Sequence, residues 1–378
     1  MAECCSTAIG LLSLSVFSRF PSRRCGREFL ILAVLRMTCL VFPLCNSYAP
    51  SSACSMVDWY QNLYNRALDV TAIIHIPLKL FTIGIVFFKT PAEFRHNSYF
   101  TLNVLFWNFG ANLFFSFVHL YPVYPLACFR LDGPLSCFVE NETVGHVVFI
   151  LIFVCVVNAA TALVITFPYR YYMVKNSQSA GQVDQDKLFK ICLVLHVLAT
   201  VFWIAASANW PISYVAYPGG TGLASSAYIF CFNPDGWHKL LPVLGFYAYI
   251  VLAISIVIVF AVLLFVKLYV KTDITNEKTL KLQRQLLWKL VIQTAIILIL
   301  GGIPMIFAVF SVTFPDFPYA KQICLISIVF MCNHGTLYSI AALTMMKSYR
   351  AALLQIVCRR SNVVIVKSQA TFVTKSVR

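Results

Sequence analysis

The chain has 378 residues; 60% are hydrophobic, only 11% are charged, and the mean hydropathy is +0.79. Soluble domains carry roughly 25% charged residues, so this composition excludes a water-soluble globule and a disordered chain alike. The net charge of +15 does not mark a nucleic-acid binder, because the basic residues recur in short pieces between long apolar runs rather than along one face.

The first 53 residues form an amino-terminal extension. Arg19, Arg23, Arg24 and Arg27 precede a short apolar stretch, Phe29–Leu44, that is broken by Arg36. Three readings stand: a signal peptide cleaved near Ser51-Ser52-Ala53, an uncleaved signal anchor, or an extension from a misplaced start. All three leave the segment before Ala67 on the same side of the membrane.

From there seven apolar runs follow, each long enough for a bilayer core that needs about 20 residues. They are Ala67–Phe88, Tyr99–Leu120, His146–Phe167, Leu188–Trp210, Leu240–Val266, Leu286–Phe310 and Ile323–Met345. The first holds His75, Pro77 and Lys79, with Asp69 as the one carboxylate in any span. Lys79 lies too far from either end to reach water easily and is expected to point inward, with no carboxylate to pair with. The second holds Asn103, Asn108, Asn112 and, near its end, His119.

The next loop carries Cys128, Cys137 and the sequon Asn141-Glu142-Thr143, a possible glycosylation site at Asn141. Asn158 lies in the third span, and Arg170 follows it. The fourth holds His196 and ends at Asn209 and Trp210. The loop from Trp210 to Lys239 is the one expected to hold structure; it carries Cys231 and the flexible Gly219-Gly220-Thr221-Gly222. A disulfide from Cys231 to the segment before the third span would pin this loop over the bundle. Cys137 is the preferred partner, being nearer that span, with Cys128 as the alternative.

Pro242 marks the fifth span, Gln293 and Gly301-Gly302-Ile303-Pro304 the sixth, Asn333 and His334 the seventh. Pro77, Pro242 and Pro304 each predict a kink. Leu280, Leu282, Leu286, Leu287 and Leu290 extend the sixth span backward as a partly amphipathic helix bearing Lys278, Lys281 and Arg284. After Arg350 a short surface helix is expected over Ala351–Val357, ending at Cys358, a candidate for palmitoylation. Residues 351–378 form a basic tail.

Charge sets the orientation. The tail and the loops after spans one, three and five hold nineteen Lys and Arg, against four on the other side. By the positive-inside rule the segment before the first span is outside and the carboxyl terminus cytoplasmic. The fold expected is therefore an all-α membrane protein, a bundle of seven transmembrane helices spanning 54–350.

Catalytic constellations were sought and are missing. There is no HExxH, P-loop lysine motif, GxSxG elbow, paired intramembrane carboxylates or metal-binding cysteine spacing, so neither an enzyme nor a cofactor is expected. Polar residues in spans face the bundle interior. Asn103, Asn158, Gln293, Asn333 and His334 are read as an interior network, and His119, Asn209 and Trp210 as candidates to touch a ligand at the outer end. A transporter or ligand-gated channel is the alternative, but transporters show paired halves and broken helices at matching positions.

Ile76-Pro77, Phe88-Lys89-Thr90-Pro91, Leu102-Asn103 and Phe106-Trp107 occur in that order. Thr279-Leu280 with Leu282-Gln283 leads to Gln293, and Asn333-His334-Gly335 with Ser339 leads to Tyr349-Arg350. This series resembles the nematode chemoreceptors of serpentine receptor class H from Cys54 to Val357. The resemblance implies a chemosensory G-protein-coupled receptor in the plasma membrane of a sensory cilium. It also implies a small-molecule chemical cue and a heterotrimeric G protein as partners, with Arg170, Lys278, Lys281 and Arg284 as the candidate G-protein contact. The family's acidic residue before the arginine that ends span three is absent, since Pro168-Tyr169 precede Arg170.

Overall fold

A computed structural model describes residues 59–91, 95–138, 141–175, 185–218, 229–270 and 277–357. The extension, Gly219–Gly222, and the tail from Cys358 onward lie outside the described residues. Among the described residues, seven helical segments are long and apolar enough to cross a bilayer.

The helices are α1 (Trp59–Lys89), α2 (Arg95–Val118), α3 (Glu142–Lys175), α4 (Gln185–Ser207) and α5 (Gly236–Phe265). The sixth span is α6a (Glu277–Ile297), a π-helical turn (Leu298–Gly302) and α6b (Ile303–Thr313). Last come α7 (Ala320–Met345) and a short α8 (Lys347–Val357). Several run past the apolar windows seen in the sequence. α1 starts at Trp59 rather than Ala67, and α3 continues through Pro168 to Lys175. In a helix the backbone bonds are satisfied locally, so amphipathic turns can extend beyond the hydrocarbon.

α3 is the central element, with 61% of its apolar window buried against 11% for α4. It packs on α2, α4 and α5, while α7 packs on α1 and on both parts of the sixth span. The faces turned away are apolar: Phe189, Leu198 and Val201 of α4 and Val251 and Leu252 of α5 are exposed. In water such a belt would drive aggregation; in lipid it is solvated.

The kink expected at Gly301–Pro304 takes the form of the π turn. Pro304 has no N–H and its ring crowds the carbonyl one turn back; widening the helix just before it accommodates both.

One end of the bundle carries a four-stranded antiparallel sheet. Its strands are β1 (Leu120–Val123), β2 (Cys128–Leu131), β3 (Pro211–Ile212) and β4 (Ile229–Phe232), in the order β1-β2-β4-β3. Structure was expected only in the Trp210–Lys239 loop. The connection after α2 holds as much, including a 3₁₀ turn at Pro134–Phe138. Strands of two to four residues carry little periodic signal of their own, and the pairing of β2 with β4 joins residues about a hundred apart.

The disulfide is Cys128–Cys231, which corrects the preference for Cys137. Cys128 and Cys231 are register partners on β2 and β4 with Cα atoms 4.0 Å apart. Cys137 instead lies in the 3₁₀ turn beyond β2. Nearness in sequence to α3 was the wrong guide; strand register decides which thiols meet.

Candidate functional site

The sheet is fastened to the helices beneath it by side-chain bonds. Tyr64 Oη donates to the Leu120 carbonyl at 2.8 Å, and His146 Nε2 to the Cys231 carbonyl at 2.7 Å. The Tyr214 N–H donates to Glu142 Oε2 at 2.9 Å, and Gln61 Nε2 to Asp132 Oδ2 at 2.9 Å. Arg130 forks onto Asp132 at 2.6 and 3.0 Å, which holds its guanidinium pKa above the ordinary value. Gly145 lies where a Cβ would run into the Phe230 ring, so only glycine lets β4 settle on α3.

Below this cap lies a narrow cavity of about 60 Å³. Phe129 and Phe232 of the sheet, Phe149 and Phe153 of α3, Trp203 of α4, Trp210, and Phe246 of α5 line it. α6b adds Met305, Ala308 and Val309, and α7 adds Cys324, Ile328 and Met331. The rings form a continuous set: Phe153 stacks on Trp203 at 5.0 Å, and Trp210 meets Phe232 at 4.5 Å. At the rim Lys239 Nζ donates to the Thr313 carbonyl at 2.9 Å, tying α5 to α6b. Lys239, Ala127, Val312 and Thr313 also border a neighbouring open cleft between the sheet and the α6b–α7 turn.

A second cavity of about 110 Å³ continues towards the middle of the bundle, sharing Phe115, Met305 and Met331 with the first. The π turn lines it through Leu298, Gly301 and Gly302, and its polar wall is Asn108, Asn112 and His334. Behind that wall sits Lys79, fully buried. Its amine donates to the Asn108 carbonyl at 3.1 Å and to Asn108 Oδ1. Asn108 Nδ2 donates to His334 Nε2, and His334 Nδ1 to the Met331 carbonyl. Lys79 does point inward as expected, and among the described residues its partner is an amide rather than a carboxylate.

The other polar residues separate into small groups. Asn103 Nδ2 donates to His196 Nε2 at 2.9 Å, and His196 Nδ1 donates to Asn158 Oδ1 at 2.6 Å. Asn158 Nδ2 in turn reaches Thr200 at 2.8 Å, which links α2, α4 and α3. Asn333 Nδ2 donates to Thr71 Oγ1 at 3.2 Å, linking α7 to α1. Gln293 joins neither group, and its Nε2 has no partner among the described residues. The single network expected is therefore three local ones, and Lys79 and Asn108 were missing from it.

Of the three ligand candidates, only Trp210 lines the first cavity. Asn209 is exposed and offers its carbonyl to Asn233 at 3.2 Å. His119 is buried under β1 with its backbone in the left-handed region at φ 45°, and its Nε2 is 3.7 Å from Asp69. Burial lowers the His119 imidazole pKa, and Asp69 opposes that shift. Asn141 is exposed and its side-chain oxygen accepts from the Val144 N–H at 3.2 Å, capping the start of α3.

At the opposite end the bundle is shut. Phe167 and Val174 of α3, Leu264 of α5, Leu268 beyond it, and Leu287 and Leu290 of α6a form one apolar cluster. Arg170 borders a small void in that cluster. Lys289 lies with its amine 5.5 Å from the Tyr349 ring. Arg284 is occupied: Nε and Nη2 hold the Leu268 carbonyl at 3.1 and 2.9 Å, with its guanidinium 4.4 Å from the Tyr269 ring. Lys281 is exposed on α6a, which also carries Lys278. α8 is anchored by Tyr349, whose hydroxyl bonds Thr90 at 2.7 Å.

This arrangement has a family. Residues 60–359 match the family model described as serpentine type 7TM GPCR chemoreceptor Srh. The chain belongs to the Srh family of chemoreceptors. Among solved structures it is similar to squid rhodopsin, with 12% identity and a TM-score of 0.56 over 79% of this chain and 86% of that one. At that identity the likeness speaks for the fold alone, which is the heptahelical receptor bundle. No curated protein matches the chain significantly. The family and the fold are those of receptors, and this Srh chain is a multi-pass membrane protein. Sequence reasoning missed two parts of its site: the aromatic wall and the Lys79–Asn108–His334 chain. The signal available for the first was the run Ile229-Phe230-Cys231-Phe232, apolar at every position, as a strand buried on both faces must be.

Proposed function

We propose that this chain is a chemosensory receptor whose amino-terminal side and β-cap are outside the cell, in the plasma membrane of a sensory cilium. A small external molecule occupies the aromatic cavity and biases α6b. The π turn passes that bias to α6a, whose movement opens the shut inner end to a heterotrimeric G protein. The observation that carries this reading is continuity: α6b lines the upper cavity, the π turn lines the lower one, and α6a closes the far end. A ligand acts by binding one of two existing arrangements better than the other.

Arg170 and Lys289, both near the apolar cluster without a carboxylate among the described residues, would be uncovered as α6a swings, adding to exposed Lys281. Lys278 joins them on α6a, while Arg284 is better placed to hold α5 against α6a than to meet a partner. The charge bias of nineteen to four supports the orientation. The test is nucleotide exchange on a heterotrimeric G protein in membranes bearing the chain. The double variant Arg170→Ala, Lys281→Ala is expected to lose most stimulated exchange while reaching the surface normally. Undiminished exchange in that variant refutes the assigned contact.

A further inference from the structure

Two donors in the wall of the aromatic cavity lack acceptors. Trp203 is 2% exposed and Trp210 8%, and the indole Nε1–H of each is buried with no hydrogen-bond partner among the described residues. Buried donors are nearly always paired, and an indole can only donate. Their edge-on neighbours, Phe246 beside Trp203 and Phe149 beside Trp210, offer ring faces that are weak acceptors at best. Other donors of the wall have acceptors. Asn233 Nδ2 donates to the Asn209 and Trp210 carbonyls, Lys239 to the Thr313 carbonyl, and Thr313 Oγ1 to the Val309 carbonyl. Among the described residues no carboxylate lines the cavity.

We propose that the ligand is a neutral, largely apolar molecule carrying one or two hydrogen-bond acceptor oxygens, of the ketone, aldehyde or ester class, which receive the Trp203 and Trp210 indole N–H groups. The proposal rests on the reading of this cavity as the ligand site. An apolar body matches the rings; an acceptor answers the two donors; an amine would find no counter-charge, and burying a carboxylate among phenyl rings is costly. A carbonyl oxygen has two lone pairs, so it can accept from these indole donors.

The experiment uses the full chain in lipid nanodiscs and calorimetric titration with matched pairs. Acetophenone is compared with α-methylstyrene, and cyclohexanone with methylenecyclohexane, each exchanging C=O for C=CH₂ at constant shape; benzoate and benzylamine are the charged controls. The ketones are expected to bind about tenfold tighter than the alkenes. The double variant Trp203→Phe, Trp210→Phe keeps the rings and removes both donors. It should erase that preference while alkene affinity stays within about twofold. Should the variant fail to fold, ultraviolet resonance Raman of the unaltered chain reads the indole N–H bands, which must shift when acetophenone binds. Equal affinity within pairs, tighter binding of benzoate, or no binding by any ketone overturns the ligand class. Ala308→Trp separates the two readings by filling the cavity. If it abolishes binding but no carbonyl preference exists, the site stands and the class falls. If ketone binding survives it, the cavity itself is the wrong site.

Discussion

Lys79 sets the direction of every bond around it. Its amine can only donate, so Asn108 must turn Oδ1 towards it and Nδ2 towards His334; His334 must then accept at Nε2 and carry its proton on Nδ1. Gly335 leaves room for this, since a Cβ there would fall on both the Lys79 amine and the Asn108 amide oxygen. Gly335→Ala is therefore expected to destabilise the receptor by about 1–3 kcal/mol, as overpacking does, read as a lower thermal midpoint in detergent. Asn108→Ala leaves the buried amine only the backbone carbonyl of residue 108 and takes the donor from His334 Nε2, and should cost on the order of 3 kcal/mol. Asn333→Ala loses one inter-helix bond to Thr71 and should cost about 1 kcal/mol. The order of the two in a melting series is the check; an Asn333 variant as damaged as the Asn108 one contradicts it. At this scale the sequence was a partial guide. That Lys79 faces inward follows from its depth in an apolar run, but which amide it meets depends on helix rotation, and no spacing within α1 encodes that.

Among the elements, the sixth span and the sheet carry the most consequence. The π turn touches the lower cavity directly: a Cβ on Gly301 would stand 3.2 Å from the His334 ring, so the turn and the polar wall move as neighbours. At the far end Leu264, Leu268 and Leu287 pack α6a against its neighbours, beside the Arg284 bonds to the Leu268 carbonyl. Leu264→Ala and Leu287→Ala remove contacts that the closed arrangement makes and the proposed open one lacks. Basal nucleotide exchange on the G protein should accordingly rise about threefold or more, since 1.4 kcal/mol is already tenfold in an equilibrium. Unchanged basal exchange in both would mean the cluster is not the gate. The sheet depends on its cross-link, which closes a sequence separation of 103 residues. Loops of that size correspond to up to about 4.7 kcal/mol in the chain-entropy account. Cys128→Ser and Cys231→Ser should lower the thermal midpoint equally, while Cys137→Ser leaves the cross-link intact in non-reducing peptide maps. Helices were legible because each carries its own apolar signal and local bonds. The strands and their disulfide were not, because strands of two to four residues carry little periodic signal, and the β2–β4 pairing that brings the thiols together joins residues about a hundred apart.

For the molecule as a whole, every functional statement depends on which end faces the cell exterior. The bundle itself is symmetric to that question: seven apolar helices are as well solvated by lipid either way up. What breaks the symmetry is charge, nineteen Lys and Arg against four, together with chemistry, because the end bearing Cys128–Cys231 needs an oxidising compartment to keep its bond. The two arguments are independent and agree. Epitope tags at position 56 and at the carboxyl terminus, probed in intact and in permeabilised cells, measure the outcome. The tag at 56 should label in intact cells and the carboxyl-terminal tag only after permeabilisation. The reverse pattern would place the disulfide-bonded sheet in the reducing cytoplasm and the Arg170–Lys281 surface outside the cell. No heterotrimeric G protein could reach that surface, and a ligand-gated channel would become the reading to pursue.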